Sequence, residues 1–180
     1  MFIEFIKKPR VTGSVLPSSS TLVDRLITIS QINSQDKVIE LGPGTGCITK
    51  KLLNIVSSQN LIAYELQQEY ANLISQTLGI RVLNEDAENI NQLDFKPNKI
   101  ISSIPFTLLP KPKITSILEN SYEALQKGGS FTAYLYTLNP WILRKNHFEQ
   151  ELVRIFGNQL QKDIVWQNLP PATIYTIRKQ

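Results

Sequence analysis

The chain has almost none of the residues from which metal centres and disulfide frameworks are built: its 180 residues include one cysteine, Cys47, and one histidine, His147. A lone cysteine forms no internal disulfide, which suits a reducing compartment and makes the cytoplasm the default expectation. One cysteine and one histidine also give no reason to expect a metal site. Long apolar runs are missing too. No stretch approaches the roughly 20 residues that a membrane-spanning helix requires, and the opening Phe2-Ile3-Glu4-Phe5-Ile6 gives way to Lys7 too soon for a secretory signal. A strong excess of one charge is absent as well. The net charge of +4 and pI near 9.2 favour an anionic partner, nucleic acid or a membrane surface, without choosing between them. With 42% hydrophobic and 19% charged residues the composition is that of a globular protein, long enough for one α/β domain and short for two, so a single domain over 1–180 is expected. The sequence contains no internal repeat, low-complexity tract or linker.

What is present is concentrated between Lys37 and Leu53, which reads Lys-Val-Ile-Glu-Leu-Gly-Pro-Gly-Thr-Gly-Cys-Ile-Thr-Lys-Lys-Leu-Leu. Val38, Ile39 and Leu41 make an apolar run fit for a buried parallel strand, while Ile48, Leu52 and Leu53 recur at helical spacing. Gly42 to Gly46 therefore form a strand-to-helix turn. Glycine takes positive φ and lets backbone approach a bound molecule, and the following helix directs free N–H groups into the crevice. A dinucleotide site would want a third Gly or Ala where Cys47 stands. It would also have no use for Glu40, whose carboxylate repels pyrophosphate but attracts an ammonium group. Glu40-x-Gly42-x-Gly44-x-Gly46 resembles the first motif of class I S-adenosylmethionine-dependent methyltransferases, whose cofactor has an amino acid end and no phosphate.

Taken in order, the chain opens on Phe2, Ile3, Phe5 and Ile6, followed by Lys7, Lys8 and Arg10. This is the pattern of a small interfacial anchor or of a cap on the protein's own core. A turn-rich stretch to Ser20 leads into a helix carrying Leu22, Val23, Leu26, Ile27 and Ile29. Ser18 and Ser19 at its start are candidates to hold the cofactor's carboxylate, and equally to cap the helix. Residues 1–30 are thus expected to face a membrane or cover the cofactor. Leu61 to Glu65 reads as a second buried strand whose final acid is placed for ribose hydroxyls, with a helix from about Gln67 to Leu78. Ile80 to Leu83 is a third strand, running into Asp86. In the methyltransferase pattern an acid here receives the adenine amine, with Ala87 beside it. Lys99 to Ser103 is a fourth strand, and Ser102 completes the expected cofactor set. A helix within Pro112–Leu125, a strand Phe131–Tyr136, a helix from Trp141 to about Phe156, and a closing pair Asp163–Gln167 and Ala172–Arg178 follow. His147 reads as a surface residue rather than a base.

The expected fold is α/β and Rossmann-like: a mostly parallel seven-stranded sheet with helices on both faces and an antiparallel C-terminal strand. The methyl acceptor belongs at the carboxyl end of the fourth strand, where Ser103-Ile104-Pro105-Phe106 stands in place of the Asn/Asp-x-Pro-Tyr/Phe of enzymes that methylate base amines. Over nearly its full length the chain resembles the bacterial phospholipid N-methyltransferases. The likeness rests on Phe5-Ile6-Lys7-Lys8-Pro9-Arg10, Gly13 to Ser19, Ser102 to Phe106, Tyr136, and Asn168-Leu169-Pro170-Pro171-Ala172, with Ser103 and Phe106 replacing that family's glycine and leucine. The resemblance implies transfer from S-adenosylmethionine to the amine of phosphatidylethanolamine by a peripheral, cytoplasmic enzyme, with Ser103, Phe106 and Tyr136 around the acceptor. Phe106, Tyr134, Tyr136 and Trp141 would offer ring faces to the head group. The implied partners are a phospholipid and an anionic membrane surface, with nucleic acid unexpected and a monomer the simplest state. The alternatives are an rRNA adenine N6-methyltransferase, whose family shares the first half of these motifs, and a cofactor-binding protein without transferase activity.

Overall fold

The computed structural model describes residues 19–137 and 142–180, the side chains of 142–145 excepted. The expected N-terminal anchor, Ser18 and Trp141 lie outside the described residues. Helix α1 (Ser20–Ser30) precedes strand β1 (Val38–Leu41); then follow α2 (Cys47–Leu52), β2 (Leu61–Tyr64), α3 (Gln68–Leu78), β3 (Arg81–Leu83), β4 (Lys99–Ser102), α4 (Lys111–Ala124), β5 (Ser130–Tyr136), α5 (Ile142–Phe156), β6 (Gln161–Val165) and β7 (Ala172–Arg178). The strands form one sheet in the order β3-β2-β1-β4-β5-β7-β6. The first five are mutually parallel, and β7 runs antiparallel to both neighbours.

This arrangement follows from where the apolar residues lie. β1, β2 and β4 are four-residue runs buried at every position, as strands covered on both faces must be. One core fills the face under α4 and α5, with Ile39, Leu41, Ile100, Phe106, Phe131 and Phe148 among its members. A second, with Leu22, Leu26, Leu52, Leu61, Ile74 and Ile101, fills the face under α1, α2 and α3. Because β2 and β4 flank β1 on opposite sides, the strand order reverses at β1, and a crevice opens at its carboxyl end.

One strand departs from the sequence reading by more than a residue. β6 begins two residues earlier than expected and ends at Val165, because pairing with β7 aligns Val165 with Ala172. Trp166 and Gln167 then belong to the turn. That turn is held by Asn168, only 3% exposed, whose Oδ1 accepts from the Ser19 hydroxyl at 2.6 Å and whose Nδ2 donates to the Pro170 carbonyl at 2.6 Å. Ser19 is also the N-cap of α1, its Oγ accepting from Leu22 N at 3.2 Å, so of its two expected roles the structure displays the cap. At the other end of α1 the buried Lys99 ammonium donates to the Ser30 carbonyl at 2.9 Å, a cation placed where the helix dipole favours it.

Ser19 thus joins the first helix to the last turn. Ser19→Ala should cost about 1–2 kcal/mol and Asn168→Ala a similar or larger amount, since each leaves a polar partner unmet. In urea unfolding the double variant should lose clearly less than the sum of the two.

Candidate active site

The crevice is lined by the ends of β1, β2 and β4 and by the turns that leave them. Gly42 and Gly46 hold φ of 73° and 81°, the region that side chains avoid. At Gly42 a Cβ would also come within 3.2 Å of Ile104 Cγ1, so the loop after β4 rests directly on the glycine turn. Gly44 differs: beyond its chain neighbours no atom lies within 4 Å of the Cβ position, so on that side it borders open space.

Glu40 is fully buried in the middle of the sheet. Its Oε2 accepts from Thr49 Oγ1 on α2 at 2.7 Å, while Oε1 has no hydrogen-bond partner among the described residues. Burial pushes this carboxyl up to about 7; the Thr49 hydrogen bond pulls it back and the nearby Glu65 charge pushes it further. Glu65, just past β2, accepts from Gly44 N at 3.1 Å and Gln67 N at 2.8 Å, yet burial still leaves it raised. Asn84 ties the ends of β2 and β3 together by donating to the Glu65 and Leu66 carbonyls at 2.9 and 3.1 Å.

Asp86 caps the 3-10 turn Ala87–Gln92 by accepting from Glu88 N at 3.1 Å, and its other oxygen takes the Lys113 ammonium, which also reaches Glu88 Oε2 at 3.2 Å. Burial lowers Lys113, but the hydrogen bonds and charges of Asp86 and Glu88 more than compensate and leave it raised. Ser102 is buried with its Oγ accepting from Ile104 N at 3.3 Å, and Ser103 N donates to Leu41 O at 2.9 Å, extending the sheet towards the glycine turn.

The expected residues Glu40, Gly42, Gly44, Gly46, Glu65, Asp86, Ala87, Ser102 and Ser103 therefore gather at one end of four adjacent strands. Others do not join them. Phe106, expected as a ring platform, is fully buried, its ring 4.6 Å from that of Phe148 and 6.4 Å from that of Phe131. A 3-10 turn over Phe106–Leu108 sends it into the core, so it offers no face to an acceptor. Tyr136 ends β5, the strand next to β4, at the same carboxyl edge and half-buried against Tyr134 at 5.9 Å, while Ser19 sits farther along that edge beside the β6–β7 turn. His147, read as a surface residue, is half-buried with Nε2 shielded from solvent. Thr49 and Lys113 are additions. Lys113 had a signal, since a cation in the first turn of a helix opposes the dipole and calls for an acid elsewhere.

A carboxyl raised from 4.5 to about 7 holds its proton in the folded state at pH values where the unfolded chain has lost it. Its contribution to stability is full below pH 4.5 and is lost as pH rises through about 7. Without ligand, the protein should lose up to roughly 3 kcal/mol between pH 5 and 8 relative to Glu40→Gln, in which this slope disappears. Urea midpoints across that range check it.

Comparison with known proteins agrees with this geometry on chemistry and corrects the expected substrate. The family model described as "Ribosomal RNA adenine dimethylase" matches residues 9–124. Ribosomal RNA small subunit methyltransferase A of Rippkaea orientalis is 32% identical over 102 residues, which are 50% of this chain and 37% of that protein. The chain spans 36–46% of the length of the curated relatives it matches. TrmN from Thermus thermophilus has TM-score 0.68 at 15% identity, covering 97% of this chain and 52% of its own. Precorrin-6y C5,15-methyltransferase from Geobacter metallireducens reaches 0.71 at 12%, covering 94% and 93%. These likenesses show the Rossmann-like methyltransferase fold, and the relatives are methyltransferases, in keeping with S-adenosylmethionine as the cofactor.

The expected membership of the phospholipid N-methyltransferases is overturned by the family match, and with it the phospholipid substrate and the reading that nucleic acid is not a partner. The matched residues include the glycine turn and the acids Glu65 and Asp86 that follow β2 and β3. Phe106, one of the residues on which the choice of acceptor rested, is a core residue. The stretch on which peripheral membrane association rested, Phe2 to Arg10, lies outside the described residues, and among the described residues no helix is long and apolar enough to cross a membrane. The chain belongs to the ribosomal RNA adenine dimethylase family.

Proposed function

We propose that this domain transfers methyl groups from S-adenosylmethionine to the exocyclic amine of adenine in ribosomal RNA. The observation that carries the reading is the family match over residues 9–124, which spans the glycine turn, Glu40, Glu65, Asp86 and the Ser102–Pro105 loop. In this reading Glu40 faces the cofactor's ammonium group, Gly44 gives its backbone to the cofactor's chain, Glu65 accepts from the ribose hydroxyls, and Asp86 with Ala87 takes the adenine end. Support comes from the open space at Gly44 and from the buried, unpartnered Glu40 Oε1. A sulfonium cofactor supplies a methyl group already activated for in-line displacement. The protein has to align the acceptor nitrogen with it. Ser103, half-buried at the end of β4, accepts one amine hydrogen and so directs the nitrogen lone pair towards the glycine turn, while Ile104, seated on Gly42, fixes the loop's distance from that turn. The whole chain serves as one catalytic unit.

The test is incubation with labelled S-adenosylmethionine and unmodified small-subunit rRNA, followed by digestion to nucleosides. Label should appear in N6-methylated adenosine, and binding should weaken steeply with salt as phosphate contacts release counterions. Ser103→Ala should lower transfer roughly tenfold, the equivalent of about 1.4 kcal/mol, with cofactor affinity unchanged. Ser103→Asn, which restores a longer acceptor, should retain activity. Label confined to another nucleoside, or absent from RNA, would overturn the reading.

A further inference from the structure

Apart from the crevice, the most conspicuous exposed feature is the turn between β6 and β7. Trp166 is 70% exposed and Leu169 80%, the highest values among the exposed large apolar residues of the described chain. Exposure of this kind on a loose loop would carry little, but this turn is fixed from three sides. Asn168 is buried and bonded to Ser19 and to the Pro170 carbonyl. Thr137, just past β5, donates from its N at 2.7 Å and its Oγ1 at 2.6 Å to the Pro171 carbonyl. Pairing of Val165 with Ala172 closes its base. An indole is thus held out in water by a rigid support.

Its position ties it to the site. β7 begins opposite Tyr136, the last residue of β5, so the turn stands at the same carboxyl edge of the sheet as Ser103. β6 is three strand spacings from β4, each about 4.8 Å, a reach that a few nucleotides of single strand cover.

The surroundings bear on what covers the indole. Among the described residues the cations of β6 and α1 are engaged: Arg25 binds Asp163 at 2.6 Å and Lys162 binds Glu149 at 2.5 Å. A lipid anchor needs free cations beside its apolar tip. A stable protein interface needs about 800 Å² on each side, far more than two side chains and a proline provide. A flat, uncharged aromatic platform on a chain of net charge +4 matches a nucleobase whose phosphates are met elsewhere.

We propose that Trp166, flanked by Leu169, is a stacking platform for an unpaired base of the RNA substrate, a few nucleotides from the adenine presented at Ser103. This rests on the RNA reading of the site and adds to it a second, base-stacking contact at the far end of the sheet.

The test uses the full chain with Trp141→Phe, which leaves Trp166 as the one tryptophan. Titration with single-stranded oligoadenylate should quench its fluorescence. Trp166→Ala should weaken binding of that oligonucleotide by roughly 5- to 150-fold, Trp166→Phe should keep most of it, and the affinity for S-adenosylmethionine should not move in either. RNA bound without quenching, at an affinity that Trp166→Ala leaves unaltered, would overturn the platform while leaving the RNA reading intact. Emission shifting to the blue on anionic phosphatidylglycerol vesicles but indifferent to RNA would assign the turn to lipid and overturn the proposal. Failure of the parent chain to bind RNA at all would remove both readings.

Discussion

The structure depends on a carboxyl group placed where carboxyl groups do not belong. Glu40 lies in the central strand with its side chain out of water, supported by one hydroxyl, Thr49. A half-satisfied buried acid costs stability, and the raised affinity for its proton is the outward sign of that cost. A buried carboxyl at the root of a glycine turn, with one oxygen unpartnered among the described residues, is the feature that the proposed binding of the cofactor's ammonium end accounts for. Positioning follows from the same residue. β1 has to be central so that Glu40 is enclosed from both faces, and the reversal of strand order at β1 opens the crevice beside it.

From there the site is assembled by contacts between turns rather than by any single element. Ile104 on Gly42 couples the acceptor loop to the cofactor turn, Glu65 on Gly44 couples β2 to it, and Asn84 couples β3 to β2. Lys113 reaches back from α4 to hold Asp86. An acid held by both a lysine and a backbone amide is fixed in orientation, and its remaining lone pairs can still accept from an amine.

Much of this was legible in the residues alone. The short runs Val38–Leu41, Leu61–Tyr64 and Lys99–Ser102 are built around adjacent apolar residues, as parallel strands covered on both faces are, and the glycines after the first mark the crevice. What failed depended on distant packing. Phe106 follows a proline as a stacking ring would, but it is drawn inward by Phe131 and Phe148, 25 and 42 positions along the chain, and nothing local encodes that. β6 was displaced by two residues because its end is set by pairing with β7 and by the Asn168 latch rather than by its own composition. The phospholipid expectation rests in part on Phe106, a core residue, and on an N-terminal stretch outside the described residues, and the family match over residues 9–124 overturns it.

If Glu40 receives the cofactor's positive end, as proposed, cofactor binding must be linked to proton release. An ammonium group arriving beside a carboxyl poised near pH 7 must lower its affinity for protons. Calorimetric titration of S-adenosylmethionine at pH 7, repeated in buffers of different ionisation heat, counts protons exchanged on binding. The account predicts release of a substantial fraction of one proton per molecule bound, and none from Glu40→Gln. Proton uptake, no exchange, or the same release from both proteins would contradict it.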